Sequence, residues 1–341
     1  MKALVTGGAG FLGRHLVDAL SKRGDEVTVL DVGKSNSAVE HISGDITDPA
    51  TVSRAVRGKD VVFHSASVVH TKWNQLDTIK RVNIGGTHNV IAACREHGVE
   101  KLVYVSSASV VYEGEDIRNG DERLPYARKF AAPYAETKSI AEQAVLTAKD
   151  LLSCALRPHS IFGPGDTRLV PAILEKAKSG KLRFSVGRNE KLTDFTYVSN
   201  VVDALLAAAD RLEPGSPAAG QAYFVTNGEP TPFWSFVRRI VEPLGYASPR
   251  FSIPYPIAYA AAWARESLDT LRGGTLNSEE SLSRFTIQYL CTDHYYSHAK
   301  ATRDLGYRPA VSIQQGIERT VAHLRAPTPF ARELATSKES A

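Results

Sequence analysis

Short apolar runs alternate with stretches of helical periodicity over the first 160 residues of the chain. Apolar runs of this length predict buried strands, and apolar residues three or four apart predict helices. The predicted strands cover residues 3–5, 26–30, 60–64, 101–105 and 153–157, and the predicted helices cover 12–23, 79–97 and 133–148. Because strands that alternate with helices form a parallel sheet, we predict an α/β fold with a Rossmann-type doubly wound parallel sheet.

The pattern changes after residue 160. Turn-rich segments, short helical periods and prolines at positions 230, 232, 243, 249, 254 and 256 indicate a smaller, mainly C-terminal lobe. We assign residues 161–195 and 227–326 to this lobe, and residues 1–160 and 196–226 to the sheet domain. Residues 327–341 are small, polar and charged, which predicts a disordered tail.

A glycine-rich segment lies between the first predicted strand and the first predicted helix. Residues 6–13 read Thr-Gly-Gly-Ala-Gly-Phe-Leu-Gly. In a strand–turn–helix unit, Gly7 permits the tight turn, Gly10 lets the backbone approach a pyrophosphate, and Gly13 lets the helix pack on its strand. The phosphates then meet the amino end of a helix. The segment therefore predicts that the sheet domain binds a dinucleotide.

The choice of dinucleotide depends on an acidic residue at the end of the second predicted strand. Asp31 lies 18 residues beyond Gly13. A carboxylate at this place binds both hydroxyl groups of the adenosine ribose and repels a 2′-phosphate. We therefore predict NAD rather than NADP. If the chain used NADP, Lys34 would be the candidate partner of the additional phosphate.

Candidate catalytic groups follow from a tyrosine and a lysine four residues apart. On the predicted helix 133–148, Tyr134 and Lys138 share one face, one turn apart. A neighbouring ammonium lowers the pKa of a tyrosine from ~10 towards neutrality, which suits a phenolate base. A second such pair, Tyr296 and Lys300, lies in the lobe without a preceding serine-bearing strand, so we interpret it as structural. The strand that ends at residue 105 leads into Ser107, which we expect to hold the substrate oxygen.

Composition and charge exclude several classes of function. The chain is 43% hydrophobic and carries a net charge of +4 that is spread without a basic block, so a nucleic-acid partner is not expected. Its three isolated cysteines lack metal-ligand spacing and do not form a disulfide framework. No signal peptide is apparent before the first predicted strand, and the longest apolar stretch, 253–264, is too short to cross a bilayer. We expect a cytoplasmic protein without a metal site.

Four further motifs carry a resemblance that extends over nearly the whole chain. They read Val-Ser-Ser-Ala-Ser-Val-Val-Tyr over 105–112, Arg-Pro-His-Ser-Ile-Phe-Gly-Pro over 157–164, Asp-Phe-Thr-Tyr-Val-Ser-Asn over 194–200, and His-Tyr-Tyr-Ser over 294–297. Together they resemble the extended short-chain dehydrogenase/reductase superfamily and, within it, the 3β-hydroxysteroid dehydrogenase family. The resemblance implies that Ser107, Tyr134 and Lys138 are catalytic and that the NAD site comprises Gly7, Gly10, Phe11, Leu12, Gly13, Asp31, Asp45, Ile46, Ser65, Ala66, Asn83, Tyr134, Lys138 and Pro158.

Several of these assignments have an alternative interpretation. Asp45 and Ile46 suit contact with adenine, but they equally suit a turn, and Asn83 more often braces neighbouring backbone. Ser109 and His159 are candidate contacts of a substrate carboxylate, whereas a lone histidine such as His64 or His70 is usually structural. Residues 251–263 form either an apolar lip that admits the substrate and touches a membrane surface, or a packed helix of the lobe. Whether the chain forms a homodimer also stays open.

The resemblance implies the oxidation of an alcohol on an apolar small molecule. It is greatest to those family members that act on 4α-carboxysterols, in which oxidation at carbon 3 is followed by loss of carbon dioxide. Reduction of a long-chain 2-alkyl-3-oxoalkanoate would use the same three residues, and the fold also permits epimerisation or dehydration of a nucleotide sugar. A cofactor-binding scaffold without catalysis is the alternative from another class, and it would leave Ser107, Tyr134 and Lys138 unexplained.

Overall fold

A seven-stranded parallel sheet forms the centre of the protein in a computed structural model that describes residues 1–34, 38–69, 75–130, 132–272 and 283–326. His70 and the predicted tail 327–341 lie outside the described residues. The strands of this sheet are β1 (Lys2–Thr6), β2 (Glu26–Asp31), β3 (Glu40–Ser43), β4 (Val61–His64), β5 (Lys101–Val105), β7 (Leu152–Pro158) and β12 (Gln221–Val225). Across the sheet their order is β12-β7-β5-β4-β1-β2-β3.

Helices cover both faces of this sheet, so the doubly wound α/β prediction is confirmed. One face packs against helices α1 (Phe11–Lys22), α7 (Val198–Arg211) and α11 (Ala299–Leu305). The other face packs against α2 (Pro49–Val56), α4 (Thr87–His97) and α5 (Pro133–Leu146). Each face has its own core of buried aliphatic side chains, which explains why the sheet strands appear in the sequence as continuous apolar runs.

Two parts of this domain differ from the elements predicted for it. The edge strand Glu40–Ser43 was not predicted, because it is short, half-exposed and mostly polar. The single helix predicted over 79–97 begins earlier, as α3 (Leu76–Lys80), and passes through a π-helical turn (Arg81–Gly86) into α4. A π turn of this kind often marks a functional site, and it contains Asn83.

The rest of the described chain forms small sheets and helices beside the carboxyl edge of the central sheet. Its strands are β6 (Ile117–Gly120), β8 (Ile161–Phe162), β9 (Phe184–Val186), β10 (Leu192–Thr193), β11 (Thr196–Tyr197), β13 (Thr231–Pro232), β14 (Phe251–Ile253) and β15 (His294–Tyr296). Its helices are α6 (Leu169–Lys178), α8 (Phe233–Val241), α9 (Tyr255–Leu271), α10 (Arg284–Leu290) and α12 (Ile313–Arg325), with two 3₁₀ turns, Ala108–Val111 and Glu242–Leu244.

An aromatic core holds this second region together. The rings of Phe195 and Phe236 stack with centroids 3.7 Å apart, and Phe162 meets Phe236 edge to face at 5.0 Å. Helices α9 and α10 pack on a separate, smaller cluster that includes Ala258, Ala262 and Ile287. Among the described helices none has both the length and the hydropathy needed to cross a membrane. The same residues contain no cluster of three or more histidine, cysteine or acidic side chains that could bind a metal ion.

Candidate active site

The glycine-rich turn after β1 is shaped by two close approaches of backbone to backbone. Gly7 has φ +73°, and a Cβ atom there would lie 2.7 Å from the amide nitrogen of Ala66. A Cβ atom on Gly13 would lie 2.1 Å from the carbonyl oxygen of Gly7. Any larger residue would therefore push α1 off the turn or separate the turn from the end of β4. As the sequence suggested, Gly7 is needed for the tight turn and Gly13 for the close packing of α1.

The amino end of α1 fits the pyrophosphate of a dinucleotide. Gly10 is the exposed N-cap residue and donates its amide to the carbonyl oxygen of Gly7 at 3.0 Å. The first amide groups of a helix have no acceptor within the helix, so those that follow Gly10 suit an anion. Phe11 and Leu12 are half-buried and pack against the aromatic core below.

Asp31 is oriented by the backbone around it. One carboxylate oxygen accepts the amide hydrogen of Ala9 at 2.9 Å, and the other accepts that of Gly33 at 2.8 Å. A carboxylate has about four acceptor positions, so each oxygen can accept a further hydroxyl group. This geometry fits the two hydroxyl groups of a ribose.

The remaining predicted cofactor contacts surround the same edge of the sheet. Asp45 is exposed and uses one carboxylate oxygen to accept the Thr47 amide at 2.8 Å, so it does form a turn. The side chain of Ile46 is buried against Gly86. Ser65 and Ala66 follow β4 beside Gly7, and Pro158 is the buried last residue of β7. Contact of these residues with adenine or nicotinamide stays a prediction.

A buried chain of neutral hydrogen bonds connects the glycine turn with the helix that carries Tyr134. Thr6 bonds to Nδ1 of His64 at 2.7 Å, and Nε2 of His64 bonds to Thr87 at 2.9 Å. Thr87 donates to the carbonyl oxygen of Asn83 at 2.6 Å. The side-chain amide of Asn83 donates to Thr137 at 3.0 Å and, in agreement with a bracing role, to the carbonyl oxygen of Val68.

The tautomer of His64 follows from these bonds. Because the Thr87 hydroxyl donates to a carbonyl oxygen, it accepts from His64, so the proton lies on Nε2 and Nδ1 accepts from Thr6. Burial and, secondarily, the nearby charge of Lys138 lower the pKa of His64 to about 3. His64 is therefore a neutral structural residue.

Lys138 lies one turn after Tyr134 on α5, and its ammonium is fully buried. It donates to the carbonyl oxygen of Val105 at 2.5 Å and to the Tyr104 hydroxyl at 3.2 Å, and it lies 4.5 Å from the centre of the Tyr104 ring. Burial lowers the pKa of Lys138 to about 7, while the Glu142 carboxylate opposes this shift. The pKa of Tyr104 rises well above its ordinary value because of burial and then the neighbouring Tyr134 phenol, so Tyr104 stays neutral.

Ser107 follows β5 with its hydroxyl oriented as a donor. Its oxygen accepts the amide of Ser109 at 3.2 Å and the hydroxyl of Ser109 at 2.9 Å. With both bonds accepted, the hydroxyl hydrogen of Ser107 is left to donate elsewhere. Ser109 thus orients Ser107, and its own contact with substrate stays a prediction.

The second tyrosine–lysine pair has a different geometry. Tyr296 is the last residue of β15 and stacks on Phe224 at 4.4 Å, whereas Lys300 lies on α11 and bonds to Gln221 at 2.7 Å. Burial raises the pKa of Tyr296 well above its ordinary value. The two side chains do not share a helix face, which supports their structural interpretation.

His159 belongs to a buried pair of histidines. Its Nε2 is 2.8 Å from Nδ1 of His294, and Nε2 of His294 donates to the carbonyl oxygen of Tyr289 at 2.8 Å. The proton between the rings therefore belongs to His159. Burial lowers the pKa of His159 well below its ordinary value and that of His294 to about 4. Contact of His159 with a substrate carboxylate stays a prediction. Nε2 of His159 already donates its hydrogen bond to His294.

Sequence reasoning missed two residues next to Lys138. Tyr104 contacts the ammonium directly, and Glu142 lies one further turn along α5. The spacing of Tyr134, Lys138 and Glu142 by four residues could have shown that they share one helix face. Nothing local in the sequence indicates that the ring of Tyr104 supports the lysine.

Comparison with known proteins agrees with this arrangement. Residues 4–255 match the model of the 3-beta hydroxysteroid dehydrogenase/isomerase family. The chain is 43% identical to the mouse sterol-4-alpha-carboxylate 3-dehydrogenase, decarboxylating, over 95% of this chain and 92% of the relative. It is 42% identical to the 2-alkyl-3-oxoalkanoate reductase of Stenotrophomonas maltophilia, over 94% and 99%.

Solved structures share the fold at lower identity. The UDP-glucose 4-epimerase of Thermus thermophilus, solved with NAD, is 28% identical with a TM-score of 0.73, and the match covers 96% of this chain and 100% of the epimerase. An epimerase of Methanothermobacter thermautotrophicus is 25% identical with a TM-score of 0.75, over 97% and 94%. The predicted family and enzyme class are thus confirmed: the chain belongs to the 3-beta hydroxysteroid dehydrogenase/isomerase family of NAD(P)-dependent oxidoreductases.

Proposed function

We propose that this protein oxidises the 3β-hydroxyl group of a sterol that carries a 4α-carboxylate, with NAD as the oxidant, and releases carbon dioxide. The observation that carries the proposal concerns Lys138. Its buried ammonium shares a helix face with Tyr134 and donates to the carbonyl oxygen of Val105, the last residue of the strand that leads to Ser107. The 43% identity to the mouse sterol-4-alpha-carboxylate 3-dehydrogenase supports the choice of substrate.

Tyr134 is the proposed base. The positive charge of Lys138 favours the phenolate form of Tyr134, which takes the proton from the substrate hydroxyl group. Ser107 donates its hydroxyl hydrogen to the substrate oxygen and keeps the alcohol carbon in place. Bound NAD would supply the acceptor for the hydride that leaves that carbon. The ammonium of Lys138 also suits a hydrogen bond to the ribose.

Loss of carbon dioxide needs no further catalytic group. Oxidation gives a β-keto acid, and the carbon–carbon bond to its carboxylate then breaks with its electron pair passing to the ketone oxygen. Tyr134, now a neutral phenol, and Ser107 can both donate hydrogen bonds to the resulting enolate oxygen. Carbon 4 then takes up a proton from solvent in place of the lost carboxylate, which gives the ketone and completes the balance.

We predict that the purified protein with NAD converts a 4α-carboxy-3β-hydroxysterol into a 3-oxo product that has lost carbon dioxide. A 3β-hydroxysterol without the carboxylate should react more slowly, since it lacks the group that helps to orient the substrate. Its oxidation should also be less complete, since no carbon dioxide is released. Mass spectrometry of the sterol and release of labelled carbon dioxide measure both steps. A sterol substrate is excluded if neither compound reacts while a 2-alkyl-3-oxoalkanoate is reduced.

Reduction of a 2-alkyl-3-oxoalkanoate is the second candidate function. The 42% identity to the Stenotrophomonas reductase favours it, and both substrates are β-oxo acids or give one. The same three residues would then work in the opposite direction, with Tyr134 giving a proton to the ketone oxygen. The UDP-glucose 4-epimerase shares the fold at 28% identity, so it supports a nucleotide-sugar substrate only weakly.

The proposed base can be tested against its structural counterpart. Tyr134→Phe should lower turnover by at least ~10²-fold, the lower limit expected of a general base, and leave NAD affinity within a few-fold. Tyr296→Phe removes the same atom from a buried tyrosine outside the proposed site and should leave turnover within a few-fold. Steady-state kinetics and titration with NADH measure both effects. A similar loss of turnover in both variants would refute our choice of Tyr134.

Asp31 is proposed to select NAD over NADP. Its carboxylate is fixed by the amides of Ala9 and Gly33, and it would meet the 2′-phosphate of NADP with like charge. We expect Asp31→Ala to narrow or reverse the NAD preference in kcat/KM, and Asp18→Ala, an exposed change on α1, to leave it unaltered. Equal use of NAD and NADP by the unaltered protein would contradict this role of Asp31.

We also propose that the protein is cytoplasmic and binds reversibly to an anionic membrane surface through β9, β14 and α9. Phe184, Phe251, Ile257 and Trp263 are each more than half exposed there. Segments 178–188 and 246–265 contain six basic and no acidic residues. Apolar side chains flanked by basic ones are typical of segments that lie at a lipid interface. An apolar substrate could be collected there.

Vesicle sedimentation tests this surface. The protein should bind phosphatidylserine-containing vesicles more strongly than phosphatidylcholine vesicles, and raising the salt concentration to about 0.5 M should weaken the binding. The variant Phe251→Ser/Ile257→Ser/Trp263→Ser should bind at least about tenfold less, whereas Val32→Ser, a change of an exposed apolar residue elsewhere, should have no effect. Absence of vesicle binding, with a dimer that the triple variant dissociates, would show that this surface is a homodimer interface instead.

A further inference from the structure

Glu142 is a carboxylate that the proposed chemistry does not use, although it lies on the catalytic face of α5. Tyr134, Lys138 and Glu142 follow each other at intervals of one helical turn. The Glu142 side chain is completely buried. One of its oxygens accepts the hydroxyl of Tyr126 at 2.7 Å and Nη2 of Arg157 at 2.5 Å. Nε of Arg157 lies 3.1 Å from each oxygen.

Arg157 holds this carboxylate from the neighbouring element β7. Its guanidinium is almost completely buried and lies 5.3 Å from the ring centres of both Tyr126 and Phe224. Burying two charges is expensive, and an apolar pair of the same size is often as stable or more stable. Fold stability alone is therefore a weak explanation for an ion pair at this place.

The charge of Lys138 supplies another explanation. The two groups that accept its hydrogen bonds, Val105 and Tyr104, are uncharged. Burial disfavours the ammonium, and the positive nicotinamide of NAD would disfavour it further. The Glu142 carboxylate is the charge that favours it.

Among the residues that the structure describes, the other titratable groups of the neighbouring elements do not supply a negative charge to Lys138. His64 on β4 is neutral, and so are the buried thiols of Cys94 on α4 and Cys154 on β7, whose pKa values burial raises to about 12. The lysine of β5, Lys101, bonds to the carbonyl oxygen of Ala209. The remaining titratable residues of α3, the π turn and α4 are exposed or half-exposed, namely Asp77, Lys80, Arg81, His88, Arg95, Glu96 and His97.

We propose that Glu142 is a positioning residue of the reaction: its carboxylate, fixed by Arg157 and Tyr126, keeps the buried ammonium of Lys138 charged so that Lys138 can favour the phenolate and bind the cofactor. This proposal rests on the proposed role of Lys138. It does not depend on which alcohol is oxidised.

Binding of NADH as a function of pH tests the proposal without any substrate. In the unaltered protein, affinity should fall on the alkaline side as Lys138 loses its proton, and Lys138→Met should abolish that fall. Because the carboxylate raises the pKa of Lys138, Glu142→Gln should move the fall to lower pH, by about one pH unit. The alkaline side of the kcat/KM profile should move in the same direction.

A matched control and a second variant keep the test decisive. Glu122 is a half-buried carboxylate that accepts the Phe224 amide and is near Arg157 but does not act on Lys138, so Glu122→Gln should leave the profile in place. Removing one partner of a buried ion pair is strongly destabilising. The double variant Glu142→Leu/Arg157→Met therefore removes both charges. It replaces Glu142→Gln if that variant does not fold, and its NADH affinity should fall at the same lowered pH.

The outcomes separate this proposal from the proposed function. The role of Glu142 is overturned if NADH affinity falls at the same alkaline pH in a folded Glu142 variant as in the unaltered protein. It is also overturned if this fall in affinity persists in Lys138→Met. A displaced fall in NADH binding, combined with no turnover of any sterol, supports the role of Glu142 and refutes only the sterol substrate.

Discussion

The burial of one ammonium group, that of Lys138, determines how the catalytic half of the protein is assembled. A cation removed from water must be stabilised by fixed dipoles and charges, or it loses its proton. The stabilising groups come from two different elements, because Tyr104 and Val105 belong to β5 and Glu142 belongs to α5. Helix α5 must therefore dock on β5 in one register, with Lys138 against Val105, the last residue of that strand.

A chain of hydrogen bonds without any charged group supports the cofactor half of the site. The chain of bonds from Thr6 through His64 and Thr87 to Asn83 is buried, and its histidine has a pKa of about 3, so it stays neutral throughout the physiological range. A protonated histidine here would place a second cation close to Lys138. The neutral chain thus braces the glycine turn against α5, and the charges of the site are those of Asp31, Lys138 and Glu142.

Sequence reasoning succeeded where the determining physics is local. Apolar runs predicted the inner strands, and the glycines of residues 6–13 predicted a close approach that the contact of Gly13 with the Gly7 carbonyl confirms. It failed for the edge strand Glu40–Ser43, whose polar residues have no strand periodicity. It also could not find pairs that folding brings together, such as Arg157 with Glu142. Another such pair is His159 with His294, which are 135 residues apart in the chain.

The proposed catalytic residues belong to the sheet domain, whereas the neighbouring region is the proposed site of substrate binding. This separation explains why one fold serves different substrates. Tyr134 and Lys138 come from α5 and Ser107 from the segment that follows β5, and in the proposed reaction they require only an alcohol or a ketone. The neighbouring region is assembled from distant segments around its own aromatic core of Phe162, Phe195 and Phe236. Its surface can change while the catalytic register is kept, because its aromatic core is a separate cluster that joins the core of the sheet through Leu12 and Ile161. The sterol and oxoalkanoate enzymes at 42–43% identity and the UDP-glucose 4-epimerase at 28% identity are consistent with that separation.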